Sequence, residues 1–199
     1  MNHAFYLQER PDTLTLCSYR DDVRKKNLAY IDMLPGEPRF FEARTNSEAY
    51  MKGLGVWNQL TLKEGTLVMT TVNDPLNRYY NGATGHVVGM NEDAVVVEFS
   101  GSTQEKEHIE TIPYRRWIEG DKYVEQLPII PAYSLTIHKS QGCTVDYLNV
   151  DPTCFAEGQL YVALSRVQNV KHLYITKKIK EEHFKVNQKA VEFYKSRCA

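Results

Sequence analysis

The chain has 199 residues, 42% of them hydrophobic, which is enough to bury a real core as one domain or two small ones. Its formal charge of −1 supplies no global field to gather a polyanion, so any nucleic-acid contact has to come from a local arrangement. Cys17, Cys143, Cys154 and Cys198 lack C-x-x-C spacing, and no stretch approaches the roughly 18 consecutive apolar residues of a membrane span, which argues against a disulfide scaffold or membrane protein and for a reduced, cytoplasmic one.

The first apolar run, residues 14–17, reads as a short buried strand, and Ser18, Asp21 and Asp22 are each able to cap the helix predicted from about 22 to 33. Leu34-Pro35-Gly36 must end that helix, and the aromatic density of residues 39–43 predicts another strand. From Leu60 the texture changes to short β-rich runs at 65–72, 86–89 and 94–99, separated by turn chemistry at Asn81-Gly82 and Asn91-Glu92-Asp93. Four or five short strands in about 65 residues suggest a small barrel or sandwich. After Pro131 the α/β pattern returns, with a helix-like 132–139, a strand at 147–150, a helix at 157–167, a strand at 172–176 and a last helix over about 180–196. The expected organisation is an α/β domain formed by residues 1–59 and 128–199, interrupted by an all-β insertion over 60–127.

Two polar segments stand out. Residues 134–144 (SLTIHKSQGCT) pack hydroxyls, an imidazole and an ammonium into two turns of a predicted helix ending at Gly142, a set suited to phosphate oxygens. On spacing alone the same run also fits a polar, glycine-terminated helix end with a solvated face. Residues 158–166 (GQLYVALSR) place Gln159, Val162 or Ala163, and Arg166 along one helical stripe, with Leu160 and Leu164 available for the core. Arg166 at that helix end suits the helix dipole as well as a catalytic role.

Taken together, these segments resemble the fifth and sixth motifs of superfamily 1 DNA helicases, in the 5′→3′ branch that contains RecD and Dda. Residues 16–27 (LCSYRDDVRKKN) look like the strand and helix that open that family's second RecA-like domain. Residues 62–74 and 81–87 look like the start of its Src-homology-type β insertion. The resemblance implies an α/β fold, a RecA-like parallel sheet with helices, interrupted by a small all-β barrel, and it accounts for nearly the whole chain.

It further implies that Arg166 is an arginine finger for ATP, with Gln141, Gly142, Thr144, Gln159 and Arg20 on the nucleotide side. Thr136, His138, Lys139 and Ser140 are implied to face the backbone of single-stranded DNA. In the insertion, Arg78, Tyr79, Tyr80, Arg115, Arg116 and Trp117 are cation-plus-aromatic candidates for strand contact, although rings in a small barrel more often fill core or rim. Asp21 and Asp22 read as helix-start residues, and no metal site is expected.

No G-x-x-x-x-G-K-[ST] occurs in the chain, so ATP and Mg2+ are expected to be held by a P-loop domain, the first RecA-like domain, supplied in cis or in trans. Two readings follow: the C-terminal motor half of an ATP-dependent 5′→3′ DNA helicase, inactive alone, or a non-catalytic single-strand-binding or protein-docking module derived from one. The first expects Arg166 to matter for turnover; the second is indifferent to it.

Overall fold

The computed structural model describes residues 9–10, 13–99, 108–141 and 145–197. In chain order, β1 (Thr15–Cys17) leads into α1 (Arg20–Met33), β2 (Arg39–Glu42), β3 (Arg44–Thr45), α2 (Glu48–Leu54) and β4 (Gln59–Leu62). Next come β5 (Leu67–Thr70), β6 (Thr84–Met90), β7 (Ala94–Phe99), β8 (His108–Pro113), β9 (Arg115–Glu119), β10 (Lys122–Gln126) and β11 (Ile129–Pro131). β12 (Ser134–Thr136) runs into a 3-10 turn, Ile137–Ser140, and β13 (Leu148–Val150), α3 (Gln159–Leu164), β14 (Leu173–Ile175) and α4 (Gln188–Arg197) complete the chain. The chain forms two compact units, residues 1–26 with 133–199, and residues 27–132.

In the first unit four strands form a parallel sheet in the order β12-β1-β13-β14. Leu16, Cys17, Leu135, Leu148, Val150, Leu173 and Ile175 are all buried, the near-continuous apolar content that a parallel sheet covered on both faces requires. Asn149 is the polar exception. Its side-chain oxygen accepts from the Arg10 amide, and its NH2 donates to the carbonyls of Arg10 and Thr13, which pins the segment entering β1.

The helix expected over 132–139 is instead β12 and the 3-10 turn. Ser134, Leu135 and Thr136 pair with Thr15, Leu16 and Cys17, and the Ser134 hydroxyl donates to the Thr15 carbonyl at 3.0 Å, so sheet pairing overrides the local polarity. The Thr136 hydroxyl accepts from the Lys139 amide and starts the turn. The last predicted helix is likewise shortened to a 3-10 turn at Glu181–His183 followed by α4.

The second unit holds a five-stranded antiparallel sheet, β11-β5-β6-β7-β8, a three-stranded sheet, β3-β10-β9, and the ribbon β2-β4. Their inner faces share one core that includes Phe41, Leu60, Leu62, Val95, Val97 and Ile112. The strand predicted at 39–43 therefore belongs here rather than to the parallel sheet, because β2 pairs antiparallel with β4 and delivers Phe41 to this core. The units divide at 26/27 and 132/133, whereas the sequence reading set its boundaries at 59/60 and 127/128. Helix α1 carries Asp21 and Asp22 in its first turn, where they favour the dipole. Its last turn has no basic residue, and the buried Lys63 supplies that charge by donating to the carbonyls of Asp32 and Leu34.

Turn chemistry is as read. Gly82 adopts a φ of 92°, and the Asn91 side chain accepts from the amides of Asp93 and Ala94 before β7. The fold is thus α/β, a RecA-like parallel sheet with helices interrupted by a mainly antiparallel β unit.

Candidate nucleotide and nucleic-acid site

In an open parallel sheet, ligands bind outside the carboxyl ends of the strands, where the chain switches direction. From β1 the chain places β12 on one side and β13 on the other, so the crevice lies beyond Cys17 and Val150. The segments that emerge there carry most of the predicted residues: Ser18-Tyr19-Arg20 after β1, Thr136 to Gln141 after β12, and residues 151–155 after β13.

Arg20 and Lys139 are both exposed, and their charges oppose one another. Desolvation first, and then the Arg20 charge, hold the Lys139 ammonium below the usual lysine range. The two cations stand on neighbouring segments, after the paired strands β1 and β12. His138 is also exposed, and Thr136 is half-buried with its hydroxyl already capping the turn.

Ser140 does not face outward as the resemblance implied. It is 1% exposed and its hydroxyl donates to the Ile137 carbonyl, because the 3-10 turn rotates it inward. Gln141 is exposed and closes the turn, its amide donating to the His138 carbonyl, while Gly142 and Thr144 lie outside the described residues.

Helix α3 buries Gln159, Leu160 and Ala163. Gln159 holds the loop before it: its side-chain oxygen accepts from the amides of Phe155 and Ala156, and its amide nitrogen is buried without a partner among the described residues. Just beyond the helix, Arg166 is half-buried, and its guanidinium donates to the Val162 carbonyl and the Ser165 hydroxyl, both at 2.9 Å. Its own carbonyl accepts from the Val145 amide at 3.0 Å, and Val145 bridges Val167 in parallel. The residue that follows the first predicted motif is thereby joined through its backbone to the last residue of the second.

The cation-plus-aromatic candidates of the β unit fare differently. Tyr79 is buried in the core. Arg78 is clamped between Asp74 and Glu110, Arg116 pairs with Glu125, and Arg115 donates to the Asn73 carbonyl. Tyr80 is exposed and Trp117 half-buried. The charge of the chain is also unevenly divided: residues 1–26 with 133–199 hold fifteen Lys and Arg against ten Asp and Glu, and residues 27–132 hold nine against fifteen. The near-neutral total therefore combines a basic parallel-sheet unit with an acidic β unit.

Two residues at the crevice went unnoticed in the sequence. Tyr19 and Phe155 are 45% and 47% exposed with ring centroids 5.3 Å apart, and His138 lies 6.3 Å from Phe155. No sequence signal marks them, since a lone aromatic beside a strand reads as core. Among the described residues no helix is long and apolar enough to cross a membrane, and no three His, Cys, Asp or Glu are grouped to hold a metal.

No protein-family model matches the chain. The ATP-dependent DNA helicase PIF1 of Xenopus laevis is 35% identical over 173 residues, covering 79% of this chain and 26% of that protein. A solved structure of two coordinating Pif1 helicases at forked double-stranded DNA is 25% identical with a TM-score of 0.81, over 96% of this chain and 46% of that one. Bacteroides Pif1 bound to single-stranded DNA has the same fold at 24% identity and a TM-score of 0.76, over 95% of this chain and 46% of that one. The chain thus spans about a quarter of the frog relative and under half of these structures.

A parallel RecA-like sheet joined to an antiparallel β unit is the fold this chain shares with these superfamily 1 DNA helicases. Over most of its length the chain is a homologue of the Pif1-like members of that superfamily.

Proposed function

We propose that this chain is the C-terminal motor half of an ATP-dependent 5′→3′ DNA helicase, of the branch that includes RecD and Dda as well as Pif1, working in the cytoplasm. Thr136, His138 and Lys139 grip the backbone of single-stranded DNA. Arg166 reaches the γ-phosphate of ATP held on a P-loop domain, and Arg20, Gln141, Gly142 and Thr144 lie toward the nucleotide. Gln159 serves that side by fixing the loop ahead of α3. Ser140 supports the turn from beneath instead of touching the strand. Residues 60–127 are the β insertion as a functional unit, flanked by residues 1–59 and 128–199 as the second RecA-like domain.

The observation that supports this reading best is the Val145–Arg166 backbone bond, which ties the chain just after the first motif to the residue carrying the guanidinium. Arg166 fits its role because its bonds to Val162 and Ser165 fix where the charge is presented. ATP and Mg2+ would be held by the P-loop half, where the metal would supply charge neutralisation at the phosphates. The relatives' description as ATP-dependent DNA helicases supports both nucleotide and strand.

The test is ATPase activity with and without single-stranded DNA. The chain alone is expected to show negligible turnover, and joining it to the P-loop domain of a Pif1-like relative is expected to restore DNA-stimulated turnover. Robust hydrolysis by the chain alone, or none in the joined protein, overturns the proposal.

A further inference from the structure

We infer that Phe155, flanked by Tyr19 and His138, is a stacking platform for an unpaired base of the single strand whose phosphate lies against Arg20 and Lys139. This rests on the strand grip proposed above and extends it from the backbone to the bases. Three rings lie side by side at the crevice, Tyr19 and Phe155 at 5.3 Å and His138 and Phe155 at 6.3 Å, within the range of favourable ring contacts. Tyr19 and Phe155 leave nearly half of their surface to solvent, so both rings are open to a ligand.

The ring is also presented rigidly. The Phe155 amide donates to Gln159 at 3.1 Å and its carbonyl accepts from Lys185 at 3.3 Å, while Cys154 beside it is buried. An exposed ring fixed by its backbone keeps its face available, which a base requires and an apolar core does not.

The chemistry beside the rings selects the occupant. Arg20 and Lys139 supply positive charge next to an aromatic face, the pairing that a nucleotide with base and phosphate matches. His138 belongs to both the gripping turn and the ring row, so the platform continues the path of the strand and is not a separate site. The basic balance of this unit favours the same polyanion.

The test compares a 12-mer of oligothymidylate with an abasic oligomer of the same length and charge, by fluorescence anisotropy, on the wild-type chain and on Phe155→Ala, Phe155→Leu and Phe155→Trp. Wild type is expected to prefer the base-bearing oligomer by roughly 5- to 100-fold. Phe155→Ala and Phe155→Leu should erase that preference with abasic binding unchanged, and Phe155→Trp should keep it, with its fluorescence quenched by the oligomer. A wild type that binds both oligomers equally, or variants that weaken both alike, overturn the platform but leave the grip standing. Quenching of Phe155→Trp by ATP alone, as strong as by the oligomer, overturns the assignment to the strand. Absence of wild-type binding to either oligomer overturns the grip and the platform together.

Discussion

The Val145 amide donates to the Arg166 carbonyl at 3.0 Å, so the segment that follows the gripping turn and the end of α3 share one backbone bond. Under the proposed function, this bond is a route by which closure on ATP shifts the turn that grips the strand. In a protein joined to its P-loop domain, Arg166→Ala is expected to lower turnover by roughly 10³- to 10⁵-fold while strand affinity is largely kept. Arg166→Lys should recover little, because an ammonium lacks the planar fork. Turnover and oligonucleotide anisotropy measured together decide it, and unaltered turnover in Arg166→Ala would favour the pure binding module.

The Asp74–Arg78 clamp gives the β unit an acid-sensitive component. The Arg78 guanidinium donates to both Asp74 oxygens, and the amides of Leu76 and Arg78 donate as well, which lowers the carboxyl to about 2. Unfolded, the same group titrates near 3.9. Stability from this pair is therefore complete above that value and lost as pH falls from about 4 toward 2. Asp74→Asn should be less stable at neutral pH and show a flatter acid limb in urea unfolding followed from pH 7 to pH 2. A variant whose pH profile parallels wild type throughout contradicts this.

Gly85 and Gly89 sit on the same strand yet should answer substitution differently. A Cβ at Gly85 meets the Glu98 carbonyl at 2.5 Å and the Phe99 Cα at 2.9 Å, backbone that cannot yield within the β6–β7 pairing. At Gly89 the nearest atoms are those of Val96 at 3.7 Å, an ordinary contact beside a register shift. Gly85→Ala is expected to lose several kcal/mol, on the order of the largest single-site effects, while Gly89→Ala stays within about 1 kcal/mol of wild type. Thermal denaturation monitored by circular dichroism checks the contrast, and equal melting temperatures for the two variants would sink it.

How far the sequence revealed this molecule depends on whether the signal was local. The strand at β1, the helix stopped by Leu34-Pro35-Gly36 and the turns at Asn81-Gly82 and Asn91 follow from patterning and turn residues, and the structure has them. β12 was mistaken for helix because its pairing partner β1 lies more than a hundred residues away, and periodicity carries no trace of that contact. The pairing of the strand at 39–43 with β4 is invisible for the same reason. At the site, the motifs point to Arg166 and His138, and the structure places Arg166 half-buried just beyond α3 and His138 exposed in the 3-10 turn. The inward turn of Ser140 and the exposure of Phe155 depend on a 3-10 geometry and on a tertiary strut, neither of which spacing encodes.

That strut carries the last prediction. Gln159 is 5% exposed, and its oxygen accepts from two successive amides, Phe155 at 3.1 Å and Ala156 at 3.2 Å, so one side chain orders the approach to α3. Gln159→Leu keeps much of the volume and removes the acceptor, leaving two amides to find water or remain unpaired at a cost of about 1–3 kcal/mol. The loss should appear locally as loop opening before it appears as global unfolding. Hydrogen exchange in peptides covering residues 151–157 is expected to accelerate by roughly tenfold or more in Gln159→Leu, while peptides from β6 and β7 exchange as in wild type. Gln159→Glu retains an acceptor and should restore part of the protection. If the loop exchanges at the wild-type rate in Gln159→Leu, then Gln159 does not hold Phe155, and the rigidity attributed to that ring has another source.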